Sequence, residues 1–398
     1  MSCFSLLCGR KGSSLSAQPT EADIDLSSFK NINLYTYKEL QIATERFSPA
    51  NKIGEGGFGS VYKGKLRNGT MAAIKVLSAE SKQGVKEFLT EIEVISSIEH
   101  ENLVKLYGCC VERNQRILVY GYLENNSLAQ TLVGGGRSSL HFSWHTRRSI
   151  CIGVAWGLAF LHHEIEPHII HRDIKASNIL LDKDLKPKIS DFGLARLIPS
   201  NITHISTLVA GTAGYLAPEY AIRSQVTRKS DVYSFGVLLL EIVSGRCNTN
   251  RRLPAEERYL HTRAWDLYEK GELESLVDSS LGGDFDVEEA IRFCKIGLIC
   301  IQDSLQLRPS MSTVHDMLIG ERDVNEKMMS KPGLLFDFTE PKDQGKQKGK
   351  VEEVEVEKTS LLAMTGSEKK HDLESSSLSA STGSYATMTF TSICDRSN

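Results

Sequence analysis

Five charged or amide-bearing residues sit inside a short stretch that is otherwise apolar. In "IIHRDIKASNIL", residues 169–180, His171, Arg172, Asp173, Lys175 and Asn178 are bracketed by Ile169, Ile170, Ile179 and Leu180. Apolar flanks of this kind usually feed a buried strand or turn. Charge beside a core is costly unless it is paired or put to use. A second stretch, "IGEGGFGSVYKG" from Ile53 to Gly64, carries the pattern Gly54-x-Gly56-x-x-Gly59. Bare glycine backbone can approach a phosphate closely. Handling a phosphate is therefore the chemistry to look for.

Positioning these residues requires particular elements. The glycine pattern alone is shared with dinucleotide-binding turns, which need a helix opening at the last glycine. Gly59 leads instead into Ser60-Val61-Tyr62-Lys63-Gly64, a β-branched and aromatic run that favours a strand. "NKIG" ahead of it reads as a short strand, so the glycines occupy a hairpin tip. After the turn "RNGT", "MAAIKVL" predicts another strand, with Lys75 in an apolar setting beside Ala73 and Val76. An isolated strand lysine is ordinarily an edge or surface charge; the glycine hairpin ahead of this one favours a phosphate-facing role. "VKEFLTEIEVISSI" then predicts an amphipathic helix, with Val85, Phe88, Leu89, Ile92, Ile95 and Ile98 at spacings of three and four. At ~100° per residue, Glu91 falls nearest the edge of that stripe, with Glu87 and Glu93 further round. A Lys75–Glu91 pair is expected in preference to a solvated glutamate.

The remaining motifs follow in order. "HRDIKASN" has H-R-D-x-x-x-x-N spacing, "KISDFGLA" supplies Asp191-Phe192-Gly193, and "AGYLAPEY" supplies Ala217-Pro218-Glu219. With the glycine hairpin and the strand lysine before them, the chain resembles the eukaryotic protein kinases over about 47–320. The resemblance implies an α+β, bilobal fold with a β-rich N-lobe (47–121) and an α-helical C-lobe (124–320), and ATP and Mg2+ as cofactors. It implies that Asp173 accepts or orients the proton of a substrate hydroxyl. It also implies that Lys175 neutralises the transferring phosphate, and that Lys75, paired with Glu91, grips the α and β phosphates. Asn178 and Asp191 would hold magnesium, a hard cation that prefers oxygen ligands. Gly54, Gly56 and Gly59 would cover the phosphates; Ile53, Val61, Ala73 and Leu180 would sandwich the adenine. The backbone at Gly121 and Leu123, in "VYGYLENNSL", would bind the base, with Tyr120 at the back. Such a set suits phosphoryl transfer, which needs positioning and charge neutralisation more than covalent help.

Lys175 and the Gly211-Thr212 pair are similar to the Ser/Thr rather than the tyrosine kinases. Thr203, Ser206, Thr207 and Thr212 are candidate activation-loop phosphosites, with Arg172 and Arg196 as phosphate partners; Thr212, closer to the substrate, has the alternative of shaping that site. Asp231 resembles the helix aspartate that braces the catalytic loop, and Arg308 the arginine that pairs with Glu219. A pseudokinase scaffold would lack an equivalent of Lys75, Asp173 or Asp191, and all three are present. A nucleotide-dependent oxidoreductase is disfavoured by the strand after Gly59 and by the lack of an adjoining βαβ pattern.

The likeness narrows further. "YTYKELQIATERFSPANKIGEGGFGSVYKG", "GLAFLHHEIEPHIIHRDIKASNILLD" and "DVYSFGVLLLEIVSG" resemble the plant receptor-like kinases (the receptor-like kinase/Pelle group). With neither ectodomain nor membrane span, the chain is similar to the receptor-like cytoplasmic kinases, and within them to the cold-responsive protein kinases. Gly121 departs from the family, which usually has Glu there. The implied partners are protein substrates and an upstream receptor kinase.

Composition bounds the rest. Across 398 residues the formal net charge is −3, which points to no nucleic acid. The nine cysteines form no C-x-x-C pair and no Cys/His spacing suited to zinc; buried thiols in a reducing compartment are expected, which leaves the sequons at Asn68, Asn125 and Asn201 without meaning. The longest apolar run, "VYSFGVLLLEIV", contains Glu241 and falls short of the about twenty residues a membrane span needs. Residues 1–46 are expected to be a flexible segment and 321–398 a disordered Ser/Thr-rich tail. Cys3 and Cys8 flank Phe4, Leu6 and Leu7, with Arg10 and Lys11 behind. Ser2 excludes myristoylation, so S-acylation of Cys3 and Cys8 is the expected route to peripheral contact with the inner face of the plasma membrane. Otherwise the chain is expected to be cytoplasmic.

Overall fold

The computed structural model describes residues 32–332, apart from 57–58, 78–81, 113, 134–139 and 251. The first half of this region is a sheet backed by one long helix. Its elements are β1 (Asn33–Leu34), α1 (Tyr37–Ala43), β2 (Lys52–Gly56), β3 (Gly59–Lys65), β4 (Met71–Leu77), α2 (Lys82–Ile95), β5 (Leu106–Glu112) and β6 (Gln115–Gly121). The strands form a six-stranded sheet in the order β1-β5-β6-β4-β3-β2. β3 and β4 pair antiparallel with Val61 opposite Lys75 and Lys63 opposite Ala73. The two-residue period of a strand therefore puts Val61, Ala73 and Lys75 on one face. Gly59 closes the hairpin onto β4: its φ is +136°, and a Cβ there would lie 2.0 Å from the Val76 carbonyl oxygen, so no other residue fits. α2 buries Phe88, Ile92 and Ile95 and ends at Ile95, before Ile98, where Ser96 and Ser97 follow.

The expected flexible segment is shorter than 1–46. β1 pairs parallel with β5. α1 is fixed by a capping box at Thr36 and Glu39, and its Leu40 is fully buried with Ile74, Ile117 and Val119 in the sheet's core. The physical reason is that "YTYKELQIA" carries a cap and an apolar face that the sheet buries. Of the tail expected over 321–398, residues 321–332 are described and hold a short helical turn at Glu326–Met328, with Ser330 hydrogen-bonded to Gln302; residues 1–31 and 333–398, with Cys3 and Cys8, lie outside the described residues.

The second half is mainly helical. It runs α3 (Leu128–Thr131), α4 (Trp144–Ala159), β7 (His168–Ile170), β8 (Ile179–Leu181), β9 (Pro187–Ile189), β10 (Arg196–Ile198), β11 (Ile205–Ser206), α5 (Pro218–Arg223), β12 (Gln225–Val226), α6 (Arg228–Ser244), α7 (Ala255–Arg258), α8 (Leu260–Lys270), α9 (Val287–Cys300) and α10 (Met311–Ile319). α6 is its axis. Every residue from Ser230 to Ser244 is buried, the charged Asp231 and Glu241 included. A capping box at Thr227 and Ser230 opens it and Gly245 closes it. β8 and β9 form a hairpin, and β7 pairs with β10. Residues 171–178 are thereby strung between two short strands over the N-terminal end of α6. Among the described residues no helix is long and apolar enough to cross a membrane. Cys109, Cys110, Cys151, Cys294 and Cys300 are buried free thiols.

Candidate active site

The loop 171–178 is shaped from below by Asp231 of α6. Its Oδ2 accepts the His171 N–H at 2.8 Å and its Oδ1 the Arg172 N–H at 2.8 Å. His162 Nε2 lies 2.9 Å from the same Oδ2. Burial would raise the Asp231 carboxyl, but His162, His171 and the Arg172 amide hold it below the usual carboxylate range. His171 adds a contact at 3.0 Å from Nε2 to the Ser190 carbonyl, and its ring meets Phe192 edge-on at 4.8 Å. The charge in the apolar stretch is thus paired.

This bracing presents Asp173 within a compact cluster. Asp173 Oδ1 accepts the Thr212 hydroxyl at 2.8 Å. Its Oδ2 takes the Lys175 ammonium at 2.8 Å and the Asn178 amide at 3.0 Å. Lys175 Nζ donates in turn to Thr212 Oγ1 at 2.7 Å. Gly211 permits the approach: its φ is +125°, and a Cβ would lie 2.9 Å from the Arg172 carbonyl oxygen. Thr212 is a candidate phosphosite with the alternative of shaping the substrate site, to which it lies closer. Its hydroxyl is engaged by both Asp173 and Lys175, so it belongs to the cluster. Thr203 and Ser206 are exposed and Thr207 is half-buried. Arg172 donates to the carbonyls of Leu194 and Leu208, each at 2.9 Å, and to the Tyr220 hydroxyl. The desolvated Arg196 feels its positive charge.

A second cluster lies alongside. Lys75 Nζ is 2.8 Å from Asp191 Oδ1 and 3.1 Å from Glu91 Oε2. Burial works against the Lys75 charge, but Asp191 and Glu91 more than offset it and hold its pKa well above the ordinary value. Burial likewise opposes ionisation of Asp191, while Lys75, then Lys175 and His171, hold its pKa low. The field at Asp191 therefore joins the two clusters. Asp191 has φ +69°, a left-handed conformation uncommon outside glycine. Tyr120 is buried behind, its phenol pushed well up by burial and then by the charges of Glu91 and Asp191. Glu87, placed further from the helix stripe by the sequence pattern, is also buried, and its Cβ lies 3.1 Å from where a Gly193 Cβ would be.

The expected nucleotide residues are arranged around this second cluster. Gly54 and Gly59 lie on the two strands of the hairpin, with Gly54 paired to Val61. A Cβ on Gly56 would meet nothing within 4 Å, so the hairpin leaves open space for a ligand. Ile53 sits at the β2 bulge. Gly121 donates its N–H to Lys105 O at 3.0 Å. Tyr107 fills the space a side chain at 121 would take, its hydroxyl 3.0 Å from the missing Cβ. Leu180 bridges to Ser127, just after the connection that holds Leu123. Among the described residues, hydrogen bonds engage Asn178 through Nδ2 and Asp191 through Oδ1. Asn178 Oδ1 and Asp191 Oδ2 remain as oxygen donors, the type a hard divalent cation takes. The donor set fits a metal–nucleotide complex.

Two further features anchor the site. Glu219 and Arg308 form a buried bidentate pair, with both contacts at 2.9 Å. Tyr215 donates to the buried Glu241 at 2.6 Å. The sequence reading missed this last contact, although Glu241 was visible as the one charge in an apolar run.

Comparison with known proteins adds an independent finding. The protein kinase domain family matches residues 47–315. The chain is 59% identical over 394 residues to Cold-responsive protein kinase 1 of Arabidopsis thaliana, which covers 98% of this chain and 100% of that protein. It is 55% identical over 304 residues to a probable LRR receptor-like serine/threonine-protein kinase of the same plant, covering 76% of this chain and 29% of that one. A second such kinase is 50% identical over 345 residues, covering 86% of this chain and 33% of its own length. The chain thus spans about a third of the length of these receptor-like relatives.

Proposed function

The chain belongs to the protein kinase domain family and, with its relatives, to the serine/threonine kinases, and from that premise we propose which of its residues perform the transfer. The observation that carries the reading is the meeting of Asp173, Lys175 and Thr212 beside the Lys75–Glu91–Asp191 cluster. Asp173 accepts or orients the proton of the attacking serine or threonine hydroxyl. Thr212 and Lys175 hold its carboxylate in place, and Lys175 also faces the negative charge that moves during transfer. Lys75, fixed by Glu91, takes the nucleotide's α and β phosphates. Ile53, Val61, Ala73 and Leu180 enclose the base, and the backbone at Gly121 and Leu123 reads it, with Gly54, Gly56 and Gly59 above the phosphates. Asn178 and Asp191 hold Mg2+. Bound MgATP supplies the γ-phosphoryl group and a counter-charge; positioning and electrostatic stabilisation come from the protein.

The likeness to a cold-responsive kinase and to receptor-like kinases supports plant stress or receptor-proximal signalling, with protein substrates and an upstream receptor kinase as partners. Phosphorylation at Thr203, Ser206 or Thr207 activates the enzyme. S-acylation at Cys3 and Cys8 brings a cytoplasmic protein to the inner face of the plasma membrane. The test is to incubate the purified chain with ATP and Mg2+ and map phosphosites on itself and on a peptide library. Phosphoserine and phosphothreonine are expected; phosphotyrosine alone, or no phosphate at all, contradicts the reading.

A further inference from the structure

Tyr107 interrupts the regular pairing of its strand. β5 sets Leu106 opposite Tyr120 and Gly108 opposite Val119, so two steps of β5 face one of β6 and Tyr107 is the extra residue. A bulge of this kind re-aims the side chain it carries, and bulges gather beside functional sites. Here the ring is aimed at Gly121. A Cβ on Gly121 would lie 3.0 Å from the Tyr107 hydroxyl oxygen and 3.3 Å from the ring carbon that bears it. Gly121 is not among the residues of positive φ, so its backbone is open to any residue. What crowds a side chain at 121 is the tyrosine. The sequence departure at 121 and the bulge at 107 are thus two halves of one contact.

The ring is seated from its own side of the sheet. It is half-buried and packs against the core cluster that holds Leu40, Leu66 and Ala72. The Tyr107 carbonyl accepts the Asn33 side-chain amide at 2.8 Å. Asn33 belongs to β1, which pairs with Gly108 and Cys109. The fit is close: a Cβ on Gly108 would lie 2.0 Å from the Asn33 carbonyl oxygen. β1 lies outside residues 47–315, the span that the kinase family matches. A strand ahead of the family's domain therefore fixes the backbone that carries the ring.

Gly121 matters through what its backbone offers a base. Its N–H is taken by the Lys105 carbonyl at 3.0 Å, so the Gly121 atom left for the base is the carbonyl oxygen, an acceptor. Adenine presents an exocyclic amine, a donor, where guanine presents a carbonyl, an acceptor. An acceptor fixed at 121 suits adenine and sets two acceptors face to face with guanine. The next residue is held independently. The Tyr122 N–H donates to the Met71 carbonyl at 3.4 Å, and Lys63 Nζ lies 4.5 Å from the centre of the Tyr122 ring. With 122 secured from β3 and β4, the contact that bears on 121 from the β5 side is Tyr107.

We propose that Tyr107 is a positioning residue that sets the preference for ATP over GTP: its ring, seated by the bulge and by Asn33, lies against Gly121 and holds the carbonyl there where an adenine amine reaches it. Tyr107 and Asn33 act through the backbone of 121 rather than on the nucleotide itself. The proposal rests on the assignment of the backbone at Gly121 and Leu123 to the base.

The test is steady-state transfer by the full chain to myelin basic protein, with ATP and with GTP as donor at fixed Mg2+. In Tyr107→Ala the ratio of kcat/KM for ATP to that for GTP should fall about fivefold, the worth of one hydrogen bond. The fall should come through a raised KM for ATP, with the KM for the acceptor as in wild type. Asn33→Ala, at an exposed position, should move the ratio the same way by about twofold, the low end of the same range. Gly121→Ala should raise the KM for ATP, because its methyl strikes the ring. Adding Tyr107→Ala removes what the methyl strikes. The double variant should therefore be no worse than Tyr107→Ala alone, a coupling that two independent losses would not give. A Tyr107→Ala ratio equal to the wild type overturns the proposal, as do additive effects of Tyr107→Ala and Gly121→Ala. If Tyr107→Ala does not fold, an Asn33→Ala ratio equal to the wild type overturns it equally. A wild type that uses ATP and GTP alike would instead overturn the assignment of Gly121 to the base, on which the proposal stands.

Discussion

Lys75 shows what a single residue is asked to do. Its ammonium is buried between two carboxylates, and the charge is retained because they more than offset the cost of burial. Lys75→Met removes the cation proposed to face the nucleotide phosphates and leaves Glu91 and Asp191 without it. The transfer rate should fall by on the order of 10²-fold or more, while circular dichroism shows the fold retained; near-normal turnover by the purified variant would contradict the assignment. Residue types were the most legible part of the chain. Lys75, Asp173, Asn178 and Asp191 stand at spacings that the chemistry demands, and each charge in an apolar stretch advertised itself. Thr212 was less legible, because a hydroxyl in a loop looks the same whether it awaits a phosphate or bonds to Asp173. Tyr215 was illegible, since its partner Glu241 is 26 residues away in sequence and meets it only through folding.

Elements carry the next level of cause. α6 works as a platform because its opening turn offers Asp231 to two backbone amides and an imidazole at once. The folded-state pKa of Asp231 is depressed. The stability it contributes is therefore present above the ordinary carboxylate pKa and is lost as pH falls through the folded value. Asp231→Asn should lower stability at pH 7 by about 1–3 kcal/mol, the cost of leaving buried donors short of an acceptor. Chemical denaturation across pH should show the gap to wild type narrowing below about pH 4; a constant gap would mean that the charge is irrelevant. The segment between Asp191 and Glu219 makes a different demand. It bears Thr203 and Ser206 on its surface, and the charge of Arg172 bears on the desolvated Arg196 within it, with Tyr220 and Glu93 offsetting this only in part. A phosphate there would offset that charge. Phosphatase-treated enzyme should show a lag before full activity, shortened by prior incubation with ATP; immediate full activity would refute the dependence. Element types were readable from period and turn chemistry, but ends were not. α2 stops at Ile95 although the apolar pattern continues to Ile98. α1 docks on the sheet through Leu40 although the sequence reading assigned it to a flexible segment.

At the scale of the whole molecule, the sheet supplies the glycine hairpin and Lys75, and the helical half supplies Asp173, Asn178 and Asp191. The Lys75–Asp191 contact at 2.8 Å joins groups 116 residues apart in sequence, which periodicity cannot foresee and an ordered set of motifs can. Placement in the cell is a further question at this scale. The proposal is that Cys3 and Cys8, with the basic pair behind them, are two acylation points, since two chains anchor where one is marginal. Cell fractionation should move Cys3→Ser/Cys8→Ser from membrane to soluble fractions; identical partitioning with wild type would remove the claim. The central claim is that Asp173, held by Thr212, Lys175 and Asn178, serves the attacking hydroxyl. Single-turnover transfer from labelled ATP to a serine or threonine peptide tests it most directly, comparing wild type with Asp173→Asn at saturating ATP and Mg2+. The substitution keeps the side-chain shape and removes the proton acceptor, so the rate constant should fall by on the order of 10²-fold or more with nucleotide affinity unchanged. A rate within a few-fold of wild type would contradict it.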